Sequence, residues 1–306
     1  MTAEQTRALV TIALAAMHAD GGQHERERAR LSALAARFRA EGVDLNAIER
    51  DIAQGRVDVD AVASALAGDR ALAQLAYEVA VGVADADGVH TPAEGEFLEQ
   101  LAASLKLPPL ESREIVAQAD SIAAAADGAA VAATADAGEI DKRILDASIT
   151  NAALELLPET LASMAILPLQ VRLVYRIGQS YGFTLDSGHI KEFIATLGVG
   201  LTGQYLEQFG RKLLGGLVGR VLGGIGGSLG RQAASSGMAF ATTWAIGQVA
   251  KQYYGGGRTL DSAKLKAAFT PLVEKGQSMI AQYAPAIEER ARSIDLRRLP
   301  ELVRRG

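Results

Sequence analysis

The chain has 306 residues, with Lys+Arg 31 against Asp+Glu 36, four His and no Cys. That length exceeds what a single hydrophobic core usually serves, so two domains are expected. The missing cysteine excludes disulfides, thiolate zinc sites, iron–sulfur clusters and cysteine nucleophiles, and His18, His24, His90 and His189 leave little material for a multi-histidine metal centre. The chain is 49% hydrophobic but only 5% aromatic, with much of the apolar share in Ala and Gly. Small side chains favour closely packed helices over a β-sandwich, which wants β-branched and aromatic residues. Residues 1–150 carry 25 acidic and 13 basic side chains, whereas 151–306 carry 11 and 18. A charge balance that changes sign near the middle points to two parts with different partners.

The N-terminus, MTAEQTRALV, has no basic segment followed by an apolar run, so a cleaved signal peptide is not expected and a cytoplasmic chain is. Apolar spacing then predicts helices over 4–17, through Leu9, Ile12, Ala13 and Ala16, and over 24–38, through Leu31, Leu34, Ala35 and Phe38. Asp44 and Asp58 have the chemistry of N-caps for two shorter helices, because an aspartate there accepts the free amide protons of the first turn. Further helices are expected from Ala71 to Ala84 and from Thr91 to Leu105, with Pro108-Pro109 ending the set. Residues 119–138 are Ala-rich and broken by Gly128 and Gly138, which reads as a weak helix or linker.

Within this part the pattern repeats at an offset of 67 residues. Segment 13–31 aligns with 80–98: Asp20-Gly21 falls on Asp87-Gly88, Glu27 on Glu94, Leu31 on Leu98 and Leu34 on Leu101. Each copy reads as a helix, an Asp-Gly turn and a second helix with Glu in its first turn. Ala19, Asp20, Gly21 and Glu27, then Ala86, Asp87, Gly88 and Glu94, resemble the pattern of the TerB-like family of bacterial tellurite-resistance proteins over about the first 125 residues. The resemblance implies an all-helical, acidic module tied to stress response and divalent-metal binding, without enzymatic activity.

The second copy of the turn reads Asp85-x-Asp87-Gly88-x5-Glu94, coinciding with positions 3, 5, 6 and 12 of an EF-hand loop, but Val83 stands at position 1. The first copy has His18 where Asp85 stands. Hard cations need several oxygen ligands, so a site for Ca²⁺ or another divalent cation would draw on Asp20, Glu27, Asp85, Asp87 and Glu94 together. The competing reading makes Thr91-Pro92-Ala93-Glu94 a capping box and Asp87-Gly88 a plain turn, and it is the stronger of the two. A metal-dependent hydrolase would require Asp20, Glu27, Asp87 and Glu94 to converge.

Helices are expected in the second half over 144–164, 168–181, 188–206, 208–232, 234–254 and 262–282, with a basic end at 285–305. A fainter repeat relates 176–191 (RIGQSYGFTLDSGHIK) to 245–266 (AIGQVAKQYYGGGRTLDSAKLK): a helix ends at Tyr181-Gly182 or Tyr254-Gly255, and the next opens at Thr-Leu-Asp-Ser. The segment LPLQVRLVYRIGQSYG, the Gly-rich middle and TTWAIGQVAKQYYGGG resemble, over about 150–260, a bacterial domain of unknown function. That domain occurs behind Ras-like GTPase domains and in YcjF-type membrane proteins. This resemblance implies association with a membrane or a GTPase.

Gly215, Gly219, Gly223 and Gly227 recur every four residues and form one small helix face, which fits close helix packing in a soluble bundle, in lipid, or in a homo-oligomer. The uncharged stretch Gln232–Ala250 is long enough to span a bilayer yet barely apolar. Arg290, Arg292, Arg297, Arg298, Arg304 and Arg305, interleaved with Ile294, Leu296, Leu299 and Leu302, fit either an anionic lipid surface or a solvated helix. Nucleic acid fits poorly, since no aromatic residue follows Tyr283.

Catalytic motifs fail on context. Gly226-Gly227-Ser228-Leu229-Gly230 matches the nucleophile elbow, but no His follows His189. Gly198-Val199-Gly200-Leu201-Thr202-Gly203 is an isolated G-x-G-x-x-G, there is no P-loop, and Arg28 stands where a zinc-protease helix beginning His24-Glu25 needs its second His.

The sequence therefore reads as an all-α, two-domain protein: a TerB-like acidic domain over 1–125 with an internal pseudo-duplication, an Ala-rich linker over 126–144, a closely packed Gly-rich helical domain over 145–282, and a basic segment over 283–306. The expected function is a non-enzymatic bacterial stress-response adaptor, peripheral at the inner face of the membrane, with no catalytic residues. Its acidic part would bind a divalent cation, and its basic part a membrane surface or membrane-bound protein. The alternative is a soluble accessory subunit of a separate GTPase with no metal role.

Overall fold

A computed structural model describes residues 2–19, 43–85, 91–125, 136–157, 160–197, 210 and 233–305. The chain is all-α, and no strand occurs among the described residues. The helices are α1 (Ala3–Met17), α2 (Leu45–Ala53), α3 (Val59–Leu66), α4 (Arg70–Ala84), α5 (Pro92–Ser104), α6 (Pro109–Ala124), α7 (Ala137–Leu156), α8 (Thr160–Met164), α9 (Ile166–Ser180), α10 (Ser187–Thr196), α11 (Ala233–Gly255), α12 (Ser262–Ser293) and α13 (Leu299–Arg305). The helices expected over 24–38 and 208–232, the end of that over 188–206, the Gly215–Gly227 face and both glycine-rich catalytic motifs lie outside the described residues.

The chain divides into two compact units, one holding Met1–Asp120 and the other Ser121–Leu157 and Gly227–Gly306 among its segments. In the first unit the expected caps are in place: Asp44 accepts the amide protons of Asn46 and Ala47, and Asp58 that of Ala61. The duplication is visible in the helix bounds themselves. Shifting α1 by 67 residues gives the bounds of α4, and the two pack together. Leu9, Ile12, Leu72, Val79, Leu98 and Leu101 form the core beneath them. Asp60 of α3 ties to α5, accepting from Gln100 Nε2 and Ser104 Oγ at 2.7 Å each.

Three expectations about boundaries need correction. Pro109 does not end the set; it opens α6, because the first helical position has no use for an amide proton. Residues 136–144 are not linker, since Asp136 caps α7 and Ile140 and Ile144 are core residues of the second unit. Nor is 283–306 a separate basic segment. Helix α12 runs through residue 283 to Ser293, and Ile287, Leu299 and Val303 are buried in the same core.

Helix α11 is the axis of the second unit, with Phe240, Thr243, Ala245, Ile246, Val249 and Ala250 fully buried and α7, α9 and α12 packed around it. A helix apolar on all sides is a buried helix. The lipid-spanning reading of Gln232–Ala250 gives way to this one, and no described helix is long and apolar enough to cross a membrane. Close packing through glycine occurs among the described residues. A Cβ on Gly276 of α12 would lie 2.8 Å from the Ala241 Cα of α11, and one on Gly247 would lie 2.7 Å from Ile144.

The fainter repeat also takes structural form. Asp186 caps α10 through the His189 amide and Asp261 caps α12 through that of Lys264. The two repeat ends meet reciprocally: a Cβ on Gly255 would touch the Tyr181 ring, and one on Gly178 would touch that of Tyr254. Phe183 and Phe193 complete the aromatic cluster, 5.5 and 6.0 Å from Tyr254 between ring centroids.

Candidate functional site

Of the five carboxylates expected to bind a cation, Asp20, Glu27 and Asp87 lie outside the described residues, and Asp85 and Glu94 are described. Asp85 is the C-cap of α4, the position that His18 holds after α1, so the sequence alignment of these two is an alignment of helix ends. Glu94 closes a capping box. Its Oε2 accepts from the Thr91 amide at 2.7 Å and the Thr91 hydroxyl at 2.9 Å, while the Thr91 hydroxyl accepts the Glu94 amide. Val83, at the first position of the EF-hand match, is buried in the last turn of α4. No group of three or more metal-capable side chains occurs among the described residues.

The chemistry-bearing concavity lies in the second unit. Helix α7 presents Glu139, Lys142, Arg143, Asp146, Ala147 and Thr150, whose three- and four-residue spacing lines them along one face. Helix α9 contributes Leu169, Leu173 and Arg176 at the same spacing, α12 adds Arg290 and α13 adds Leu302. Together they line an open-mouthed pocket of about 670 Å³, with four cations against two carboxylates among the described residues. One of those carboxylates is already engaged: Arg290 donates to Asp146 at 2.5 Å and to the Thr150 hydroxyl at 2.9 Å, joining α12 to α7.

Behind this wall is a fifth cation. Arg172, one turn before Arg176, is 6% exposed. Both guanidiniums donate to a single acceptor, the Arg304 main-chain carbonyl near the end of α13, at 3.2 and 2.9 Å. That carbonyl belongs to the last turn of a helix, where acceptors lack intrahelical partners and the dipole is negative. One carbonyl does not satisfy two guanidiniums. The Nε and Nη1 of Arg172 and the Nε of Arg176 are buried without hydrogen-bond partners among the described residues. Burial lowers the pKa of both arginines; for Arg176 the charges of Arg172 and Arg143 lower it further, while Tyr175 partly offsets the shift at Arg172. Both remain cations at neutral pH.

None of Arg143, Arg172 and Arg176 stood out as a site in the sequence. A signal was present: two arginines four residues apart in LPLQVRLVYRIG, an otherwise apolar run without an acid to pair them. Arg290, by contrast, was counted with a basic tail and turns out to bridge two helices.

The fold and the pocket define a class: a helical protein whose second unit bears a recessed cationic pocket. Residues 2–119 are similar to a family described as a protein of unknown function, DUF533, a span that ends within a residue of the first unit's boundary. Comparison with curated proteins and with solved structures gave no match.

Proposed function

We propose that the chain is a non-enzymatic adaptor whose second unit engages an anionic surface or partner at a membrane. The cationic pocket carries this reading: Lys142, Arg143, Arg176 and Arg290 converge there with Glu139 and Asp146, and among the described residues the ion pair of these four cations is that of Arg290 with Asp146. The apolar side chains of the C-terminal arginine-rich segment do not supply an insertion face, since Leu299 and Val303 are core residues and Leu302 packs against them. Attraction is therefore electrostatic and peripheral. The TerB-like pattern of the first unit supports a role in bacterial stress physiology and, through Asp20, Glu27, Asp85, Asp87 and Glu94, a divalent cation on the acidic side.

Flotation of the full chain with vesicles tests this. Retention on vesicles containing anionic lipid, absence from neutral ones and release by salt are expected, because salt screens surface attraction. Lys142→Glu with Arg143→Glu is expected to abolish retention. Equal partition to neutral and anionic vesicles, or none to either, overturns the reading.

A further inference from the structure

The pocket has features that a merely basic surface lacks. Three of its four cations are guanidiniums, whose planar fork matches the oxygens of phosphate or carboxylate and holds them with two parallel hydrogen bonds. Arg143 faces Arg176 across a wall with no carboxylate bonded to either among the described residues. Arg172 stands behind them outside the lining, with two of its three guanidinium nitrogens lacking hydrogen bonds among the described residues and the Tyr175 ring centroid 5.8 Å away, and it adds positive potential rather than a ligand contact. Such buried donors ordinarily find partners, and each unpaired one is costly. Like charges held together around one pocket call for an anion with more than one charge and more than two acceptor oxygens. A phosphomonoester supplies both, and a carboxylate or phosphodiester supplies fewer.

The remaining walls narrow the ligand. Ala147, Leu169, Leu173 and Leu302 are aliphatic, and no aromatic ring is among the described residues that line the pocket to stack on a base. A volume of about 670 Å³ suits a small molecule rather than a lone ion. We propose that this pocket binds an aliphatic phosphomonoester, with Arg143 and Arg176 forking the phosphate, Lys142 and Arg290 adding charge, and the leucines holding the organic part. The same chemistry is offered by a soluble metabolite and by the head group of phosphatidic acid. The inference stands apart from the adaptor reading, because a soluble ligand tests it without a membrane.

Calorimetric titration of the full chain with inorganic phosphate and then glycerol phosphate, at constant ionic strength, is the test. Saturable one-site binding is expected, tighter for glycerol phosphate, with dimethyl phosphate weaker by on the order of tenfold for want of the second charge. Arg143 makes no hydrogen bond or ion pair among the described residues. Arg143→Gln therefore keeps the fold and weakens binding on the order of tenfold, and Arg143→Lys recovers part of the loss. Arg176→Gln has the larger effect where it folds. Absence of saturable heat for both phosphates, or unchanged binding by Arg143→Gln, overturns the proposal. Vesicles containing phosphatidic acid separate the sources. Release of bound protein by glycerol phosphate assigns the pocket to the lipid head group. Binding of the free monoester without vesicle retention assigns it to a soluble ligand, upholding the pocket while sinking the membrane reading.

Discussion

Arg172 brings a full charge into a position that is 6% exposed and meets one main-chain carbonyl there. Other buried polar residues of the same unit bond to one another, although the Asn151 Oδ1 has no hydrogen-bond partner among the described residues. Asn151 and Gln170 both donate to the Thr243 hydroxyl, at 2.9 and 3.1 Å, and all three are fully buried. Buried polar groups persist when bonded to one another, and this trio fixes α7, α9 and α11 in one register. Asp141 shows the same balance at the surface. Burial alone would raise its pKa, but hydrogen bonds from Lys251 and Gln248 and the charge of Lys251 outweigh it, and the carboxyl falls below its ordinary value of 3.8. A depressed folded pKa stabilises fully above the unfolded value and is lost as pH falls through the folded one. The contribution of this pair is therefore constant at neutral pH and disappears only in acid below the ordinary carboxylate range. Lys251→Met is expected to move the Asp141 titration upward, as read by carboxyl NMR. An unmoved titration contradicts the assignment.

At the scale of elements, the close approach of α12 to α11 depends on Gly276. A Cβ there would meet the Ala241 Cα at 2.8 Å and its Cβ at 3.1 Å, and main chain yields less readily than a side-chain tip. Gly276→Ala gains about 1 kcal/mol of helix propensity and loses about 1–3 kcal/mol to overpacking. A lowered midpoint in urea is expected, and a raised one means the helices are less tightly held. Helix existence and caps were legible in the sequence because local chemistry decides them: Asp44, Asp58, Asp186 and Asp261 each sit before apolar periodicity, and each caps a helix. The burial of α11 was not legible. An uncharged, weakly polar helix looks alike to lipid and to a protein core, and only the neighbours α7, α9 and α12 distinguish them. The pocket was hidden for a related reason, since Arg143, Arg176 and Arg290 are far apart in sequence and join through tertiary packing. The spacing at Glu94 satisfies the EF-hand pattern and the capping box alike, and its carboxylate is in the box, the reading the sequence favoured.

At the scale of the whole molecule, an acidic first unit and a second unit with a cationic pocket give one chain two electrostatic characters. The central claim is that the second unit meets an anionic membrane from outside while α11 stays in the protein core. Trp244, the single tryptophan of the chain, reports on it directly, being 8% exposed on α11 with the Lys275 ammonium 5.6 Å from its ring centroid. The deciding measurement is Trp244 emission from full-length protein floated with anionic vesicles whose acyl chains carry bromine, a quencher confined to the hydrocarbon. Protein that floats with the vesicles and keeps its unbound emission intensity and wavelength is the predicted result. Quenching of Trp244 in the floated fraction would mean that α11 leaves its core for lipid, and would contradict the account.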